Sequence, residues 1–172
     1  GPQQEIVVGM YLPVGDQYLE GLIAYPSTGG EPLWTFPIPG TSGGIKAVAA
    51  DPAGDLVIAS ADDMKLTIRR VTSAKSVAWS SDACTGRSAR DVAIDSQGDI
   101  IVIGDGPGAA GENIRLCKFT PDGALRWGRD IDGGHDDLGF TVAVDAADRI
   151  IAGGSMNSAQ THQDAWLAIF SP

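Results

Sequence analysis

One segment recurs along this chain at a spacing of 44–50 residues, and that recurrence limits what the chain can fold into. Residues 47–60 read AVAADPAGDLVIAS, residues 91–105 read DVAIDSQGDIIVIGD and residues 141–154 read TVAVDAADRIIAGG. Each copy has a short alternating stretch ending in Asp51, Asp95 or Asp145, then a turn, then an apolar run beginning at Leu56, Ile100 or Ile150. The opening EIVVGM matches the second half of the unit, with Ile6 in the equivalent place. Trp34, Trp79 and Trp127 recur late in successive units, 45 and 48 residues apart. Between the two landmarks lies a third, LEGLIAY at 19–25, KLTIRRV at 65–71, NIRLCKF at 113–119 and DAWLAIF at 164–170. Self-similarity at such a period marks a stack of supersecondary units, each too small to bury its own apolar surface.

The units read as β-sheets. No stretch of ten or more residues follows the 3.6-residue apolar period of a helix, whereas short apolar runs bounded by turn residues abound. Glycine, at 23 of 172 residues, suits many tight turns. A full unit predicts four strands: the V-A-x-D segment, the apolar run (Ile100 to Ile103 in the third unit), Asn113 to Phe119, and a last strand carrying Trp127. Asp95-Ser96-Gln97-Gly98 and Thr120-Pro121-Asp122-Gly123 are the turns between them. Ile114 and Leu116 on one side of the third strand, and Cys117 and Phe119 on the other, call for cover on both faces. Sheets stacked as blades around an axis provide that cover. Each tryptophan would then bury roughly 150–250 Å² between blades.

The expected architecture is an all-β, propeller-like array of about four antiparallel four-stranded blades. The approximate repeats are 5–45, 46–89, 90–138 and 139–172 of a single domain. The first unit lacks its first strand and the last stops after its third, so the strands number 3, 4, 4 and 3. Such a row is either a small closed ring or part of a larger propeller. Open end blades would leave apolar edges that invite pairing, which favours self-association as a homo-oligomer.

The stretches DVAIDSQGDIIVIGD, NIRLCKFTPDGALRWGRD and DDLGFTVAVDAADRIIAGG, with the ending QDAWLAIFSP, resemble the bacterial β-propeller repeat found in tandem in secreted and surface proteins, especially of myxobacteria. The resemblance implies a propeller fold and an extracytoplasmic location, secreted, periplasmic or at the cell surface. It implies no activity, because that family is defined by its blade.

Charge narrows the partners. Twelve basic against 22 acidic residues leave a formal charge of -10, which repels phosphate backbones and anionic lipid. Nucleic acid is therefore not an expected partner; cationic partners and divalent metals stay open, as does whether the partner is a protein or a glycan. No apolar run approaches the ~20 residues that span a bilayer, so no membrane insertion is expected. Gly1-Pro2 resembles the scar of a protease cut, so missing targeting signals carry no information.

Several motifs suggest chemistry. Gly106, Gly108 and Gly111 spell G-x-G-x-x-G after an apolar strand, but a dinucleotide fingerprint needs a helix to hold the pyrophosphate. Here Asn113 leads into a strand, which favours a flexible inter-strand loop and no cofactor. Asp130, Asp132, Asp136 and Asp137, around His135, are candidate calcium ligands with Gly133 and Gly134 as the bend. A solvated inter-blade loop is the competing reading. The Asp51, Asp95 and Asp145 series recurs once per unit, as expected of carboxylates capping turn amides. His135 and His162 fall in loops, and no G-x-S-x-G accompanies them. Cys84 and Cys117 lie 33 residues apart, compatible with one disulfide or with two unconnected thiols. Two functional classes follow: a non-catalytic interaction or structural module, with no catalytic residues, or an enzyme, metal or small-ligand binder of hydrolase or lyase type at the central channel.

Overall fold

The computed structural model describes residues 5–38, 44–62, 65–157 and 163–172, with only the backbone of 17, 18 and 62. Among them are 14 strands and no helix. The strands form four antiparallel sheets that follow one another along the chain. The first holds β1 (Glu5–Val14), β2 (Gln17–Pro26) and β3 (Trp34–Pro37). The second holds β4 (Ile45–Ala50), β5 (Leu56–Asp62), β6 (Lys65–Val71) and β7 (Val77–Ser81). The third holds β8 (Ser88–Ile94), β9 (Ile100–Pro107), β10 (Glu112–Phe119) and β11 (Leu125–Ile131). The fourth holds β12 (Leu138–Val144), β13 (Ile150–Met156) and β14 (Asp164–Phe170). Sheets of three, four, four and three strands match the expected row of blades with incomplete end blades.

Alternation within the central strands builds the core. On β9 and β10, Ile101, Ile103, Ile114 and Leu116 face the fourth sheet, where Val142, Ile150 and Ala152 meet them. The opposite parity, with Ile100, Val102, Cys117 and Phe119, faces Val57, Ala59, Leu66 and Ile68 of the second sheet. Leu22 and Ile38 of the first blade meet Leu56, Ile58 and Val71 in the same way. A strand apolar at consecutive positions is thus buried on both faces because a blade lies on each side.

The tight turns lie where the sequence places them. Gly54, Gly98 and Asp148 take positive φ (88°, 79° and 57°) in the turns between first and second strands. Lys75 and Gly123 do so (61° and 87°) between third and fourth strands. Each tryptophan lies on the outermost strand of its blade and keeps a minor part of its surface exposed. Their contacts still cross between blades. Lys75 Nζ sits 4.0 Å above the Trp34 ring, and a side chain at Gly123 would come within 2.8 Å of the Trp79 ring. Each of these two rings therefore covers the third-to-fourth-strand turn of the next blade.

The G-x-G-x-x-G segment spans the end of one strand and the connection to the next, as its sequence context predicts. Gly106 is buried within β9, which runs on to Pro107, and Gly108 N donates to Gly111 O at 2.7 Å. Strand β10 begins at Glu112, directly after Gly111, so no helix follows to hold a pyrophosphate.

Candidate functional site at the rim of the first strands

The first strands β4, β8 and β12 lie side by side across the blades. At the start of each, the ladder slips by one residue. The register jumps between Ile45 and Ala47, between Ala89 and Asp91, and between Gly139 and Thr141. Lys46, Arg90 and Phe140 are the residues left without a partner, and all three are exposed. Counted from Asp51, Asp95 and Asp145, they occupy one and the same place in the repeat. A β-bulge bends a strand and re-aims one side chain. Three equivalent bulges turn two cations and an aromatic ring out along one rim.

The rim is held in place by its neighbours. Arg90 Nε donates to Asp105 Oδ1 at 2.8 Å, which fixes the guanidinium while 40% of the side chain stays exposed. Asp91, next to the bulge, accepts from Thr141 Oγ1 (2.8 Å) and Val142 N (2.9 Å), tying the third blade to the fourth. Lys46 lines an open groove of about 300 Å³ between β1 and β4, with Val7, Gly9 and Val48. A second groove, about 390 Å³, opens nearby between Lys65, Asp82, Cys84, Arg87 and Pro107.

Glycines allow the close approach behind the bulges. A side chain at Gly104, which pairs with Ala89, would come within 1.9 Å of the Ser88 carbonyl oxygen. At the equivalent Gly154 the Leu138 carbonyl would be 2.2 Å away. Because the obstacle is backbone, Gly104→Ala is expected to cost about 2 kcal/mol in urea unfolding, as for an overpacked core. A neutral result would mean that the bulge relaxes freely.

The acids around His135 have separate tasks. Asp130 pairs with Arg115 Nη1 at 2.6 Å. Asp132 Oδ1 accepts from Gly134 N (2.7 Å), and Asp136 Oδ1 accepts from Glu112 N (2.9 Å). Asp137 is fully buried and accepts from Gly133 N and, at 2.8 Å, Asn157 N. Their oxygens thus organise the loop between β11 and β12. Among the described residues no three His, Cys, Asp or Glu side chains gather as metal ligands. His135 is exposed in that loop, and His162 lies outside the described residues.

The Asp51, Asp95 and Asp145 series sits at the opposite ends of the first strands from the bulges. Asp95 Oδ1 accepts from Gln97 N (3.0 Å) and Asp99 N (2.9 Å). Asp145 Oδ1 accepts from Ala147 N and Arg149 N, both at 2.9 Å, and Asp51 Oδ1 accepts from Asp55 N at 3.0 Å. Each also holds a cation: Arg70 on Asp51, Lys118 on Asp95, Arg149 on Asp145. Burial pulls the Lys118 ammonium down, but Asp95 and Asp99 beside it outweigh that and hold its pKa above the ordinary value. The Ser73 amide, followed by Arg70, holds the Asp55 carboxyl below its ordinary range. Cys84, in the loop between β7 and β8, is joined by a disulfide to Cys117 on β10.

The sequence reading missed the rim. Its only signal was three residues, Lys46, Arg90 and Phe140, occupying one repeat position two residues before V-A.

No family model matches this chain. No curated protein matches it either. Solved structures do. A protein of unknown function from Bacteroides caccae is 17% identical, with a TM-score of 0.54, over 80% of this chain and 47% of that one. The Pan2 WD40 domain of Neurospora crassa is 12% identical, with a TM-score of 0.58, over 85% and 43%. An exo-β-1,3-galactanase from Phanerochaete chrysosporium is also 12% identical, with a TM-score of 0.58, over 96% and 43%. The chain thus spans less than half the length of these three. At such identities the likeness concerns the fold alone: this chain is a propeller-like array of β-blades.

Proposed function

We propose that the chain is a non-catalytic propeller module of a secreted or surface bacterial protein, and that it binds an extended neutral polysaccharide along the rim of its first strands. The observation that carries this reading is the bulge repeated in β4, β8 and β12, which presents Lys46, Arg90 and Phe140 together. Hydrogen-bond donors on separate blades suit hydroxyls spaced along a chain, an aromatic ring suits the apolar face of a sugar, and the formal charge of -10 disfavours a polyanion. The recurrent carboxylates support a binding role, since Asp51, Asp95, Asp137 and Asp145 each bond backbone amides. The buried Cys84–Cys117 disulfide supports an oxidising, extracytoplasmic setting.

The test is retention on immobilised neutral dextran against polygalacturonate. The chain should bind the neutral polymer, with little change as salt rises, and Lys46→Ala with Phe140→Ala should lower affinity about tenfold or more, some 1.4 kcal/mol. Equal retention on polygalacturonate, or none on either, would overturn the reading. Shortening of the polymer during the assay would favour the catalytic alternative.

A further inference from the structure

We infer that two copies of this chain join head to tail, the exposed face of the first blade of each packing on the exposed face of the fourth blade of the other, to close one ring of eight blades. The internal interfaces show what covers each kind of face. The forward face of the third blade (Ile101, Ile103, Leu116) is buried by the backward face of the fourth (Ile150, Ala152, Phe170). Strand register identifies the same positions at the two ends. Ile151, Gly153 and Leu167 form the forward face of the fourth blade. Ile6, Val8 and Tyr25 form the backward face of the first, in the places of Leu56, Ile58 and Val71.

Most of the large apolar side chains on these end faces lie open, although Ile23, opposite Val8, and Gly153 are buried. Leu167 is 72% exposed and Ile169 58%, while Ile6 is 53% and Val8 42% exposed. The first and fourth blades therefore do not cover one another within the chain. Each face is the type that elsewhere in the molecule packs on the other, so the complement of each is present on a second copy. A contact between two different patches propagates unless the rotation closes. Two copies contribute four blades each, so the second joint closes the pair into a ring. Eight blades lies within the usual range of 4–8.

Sedimentation velocity from low to high micromolar concentration tests this. The expected species has twice the chain mass of 17.8 kDa. Val8→Lys and Leu167→Lys, both on exposed positions that leave the internal cores intact, should each yield monomers. Mixing the two variants should restore dimers, because one of the two joints then carries no lysine. A pairing of like faces would instead leave Leu167→Lys or Val8→Lys dimeric by itself, and would overturn the inference. So would a strictly monomeric chain at high micromolar concentration, or a ladder of open polymers.

Discussion

Lys118→Ile is expected to destabilise the protein by about 3–5 kcal/mol, the usual cost of removing one partner from a buried ion pair. The Lys118 side chain is 8% exposed, with Asp95 Oδ2 at 2.8 Å and Asp99 Oδ2 at 3.4 Å, and those two carboxylates are 2% and 7% exposed. Without the ammonium, Asp95 keeps only its amide donors, and Asp99 keeps Arg126 at 2.9 Å, a side chain itself half in solvent. Lys118→Arg should cost under about 1 kcal/mol, because Arg70 fills the same register position in the second blade and pairs with Asp51 and Asp55. Urea unfolding of both variants, with Asp95→Asn completing a double-mutant cycle, measures the coupling. A loss below about 1 kcal/mol for Lys118→Ile would show that water reaches the site and screens the carboxylates.

The fourth blade solves the same problem differently, and the difference shows what a repeat can reveal. Ile169 stands where Lys118 and Arg70 stand, and Arg149 stands where Asp99 and Asp55 stand. The cation comes from within the turn: Arg149 Nη2 lies 2.7 Å from Asp145 Oδ2. Strand three is then free to be apolar. The carboxylate's role in the turn was legible in the sequence because Asp recurs with its turn residues. Its cation was not, because it arrives from strand three in two blades and from the turn in the third. Blade order and strand count were legible for a related reason: a strand buried on both faces must be apolar at consecutive positions, and β9 and β10 are.

The rim was hidden by the same regularity. A bulge changes how a strand pairs without changing the count of residues between landmarks, so Lys46, Arg90 and Phe140 align without a gap and read as ordinary strand positions. The tryptophans' recurrence on the last strand was legible, but not the side chains they meet, because those come from the next blade. Trp127 touches Arg129, whose guanidinium sits 5.2 Å from its ring and 5.3 Å from that of Phe170, so a charged residue bridges the outer end of the third and fourth blades. Nothing in the local pattern around LRWGRD identifies that bridge.

Replacing both Cys84 and Cys117 by alanine is expected to lower stability by about 3–4 kcal/mol. The bridge closes a 33-residue segment that holds β8, β9 and most of β10, and closing a loop of that length removes about this much conformational entropy from the unfolded chain in the chain-entropy model. Both sulfurs lie in the core between the second and third blades, where Cys84 and Cys117 are 2% and 1% exposed. The bridge therefore anchors the loop leaving one blade to a central strand of the next, and loss of sulfur packing adds to the entropic term. Domains of this kind have only about 5–15 kcal/mol in total, so the double variant should unfold at a much lower urea concentration while keeping its β-sheet circular dichroism in buffer. Thiol titration of the untreated chain should find no free sulfhydryl before denaturation and reduction, and two after. A double variant within about 1 kcal/mol of the parent would mean that the third blade is already confined in the unfolded ensemble. Free thiols in the untreated chain would remove the chemical support for an oxidising compartment.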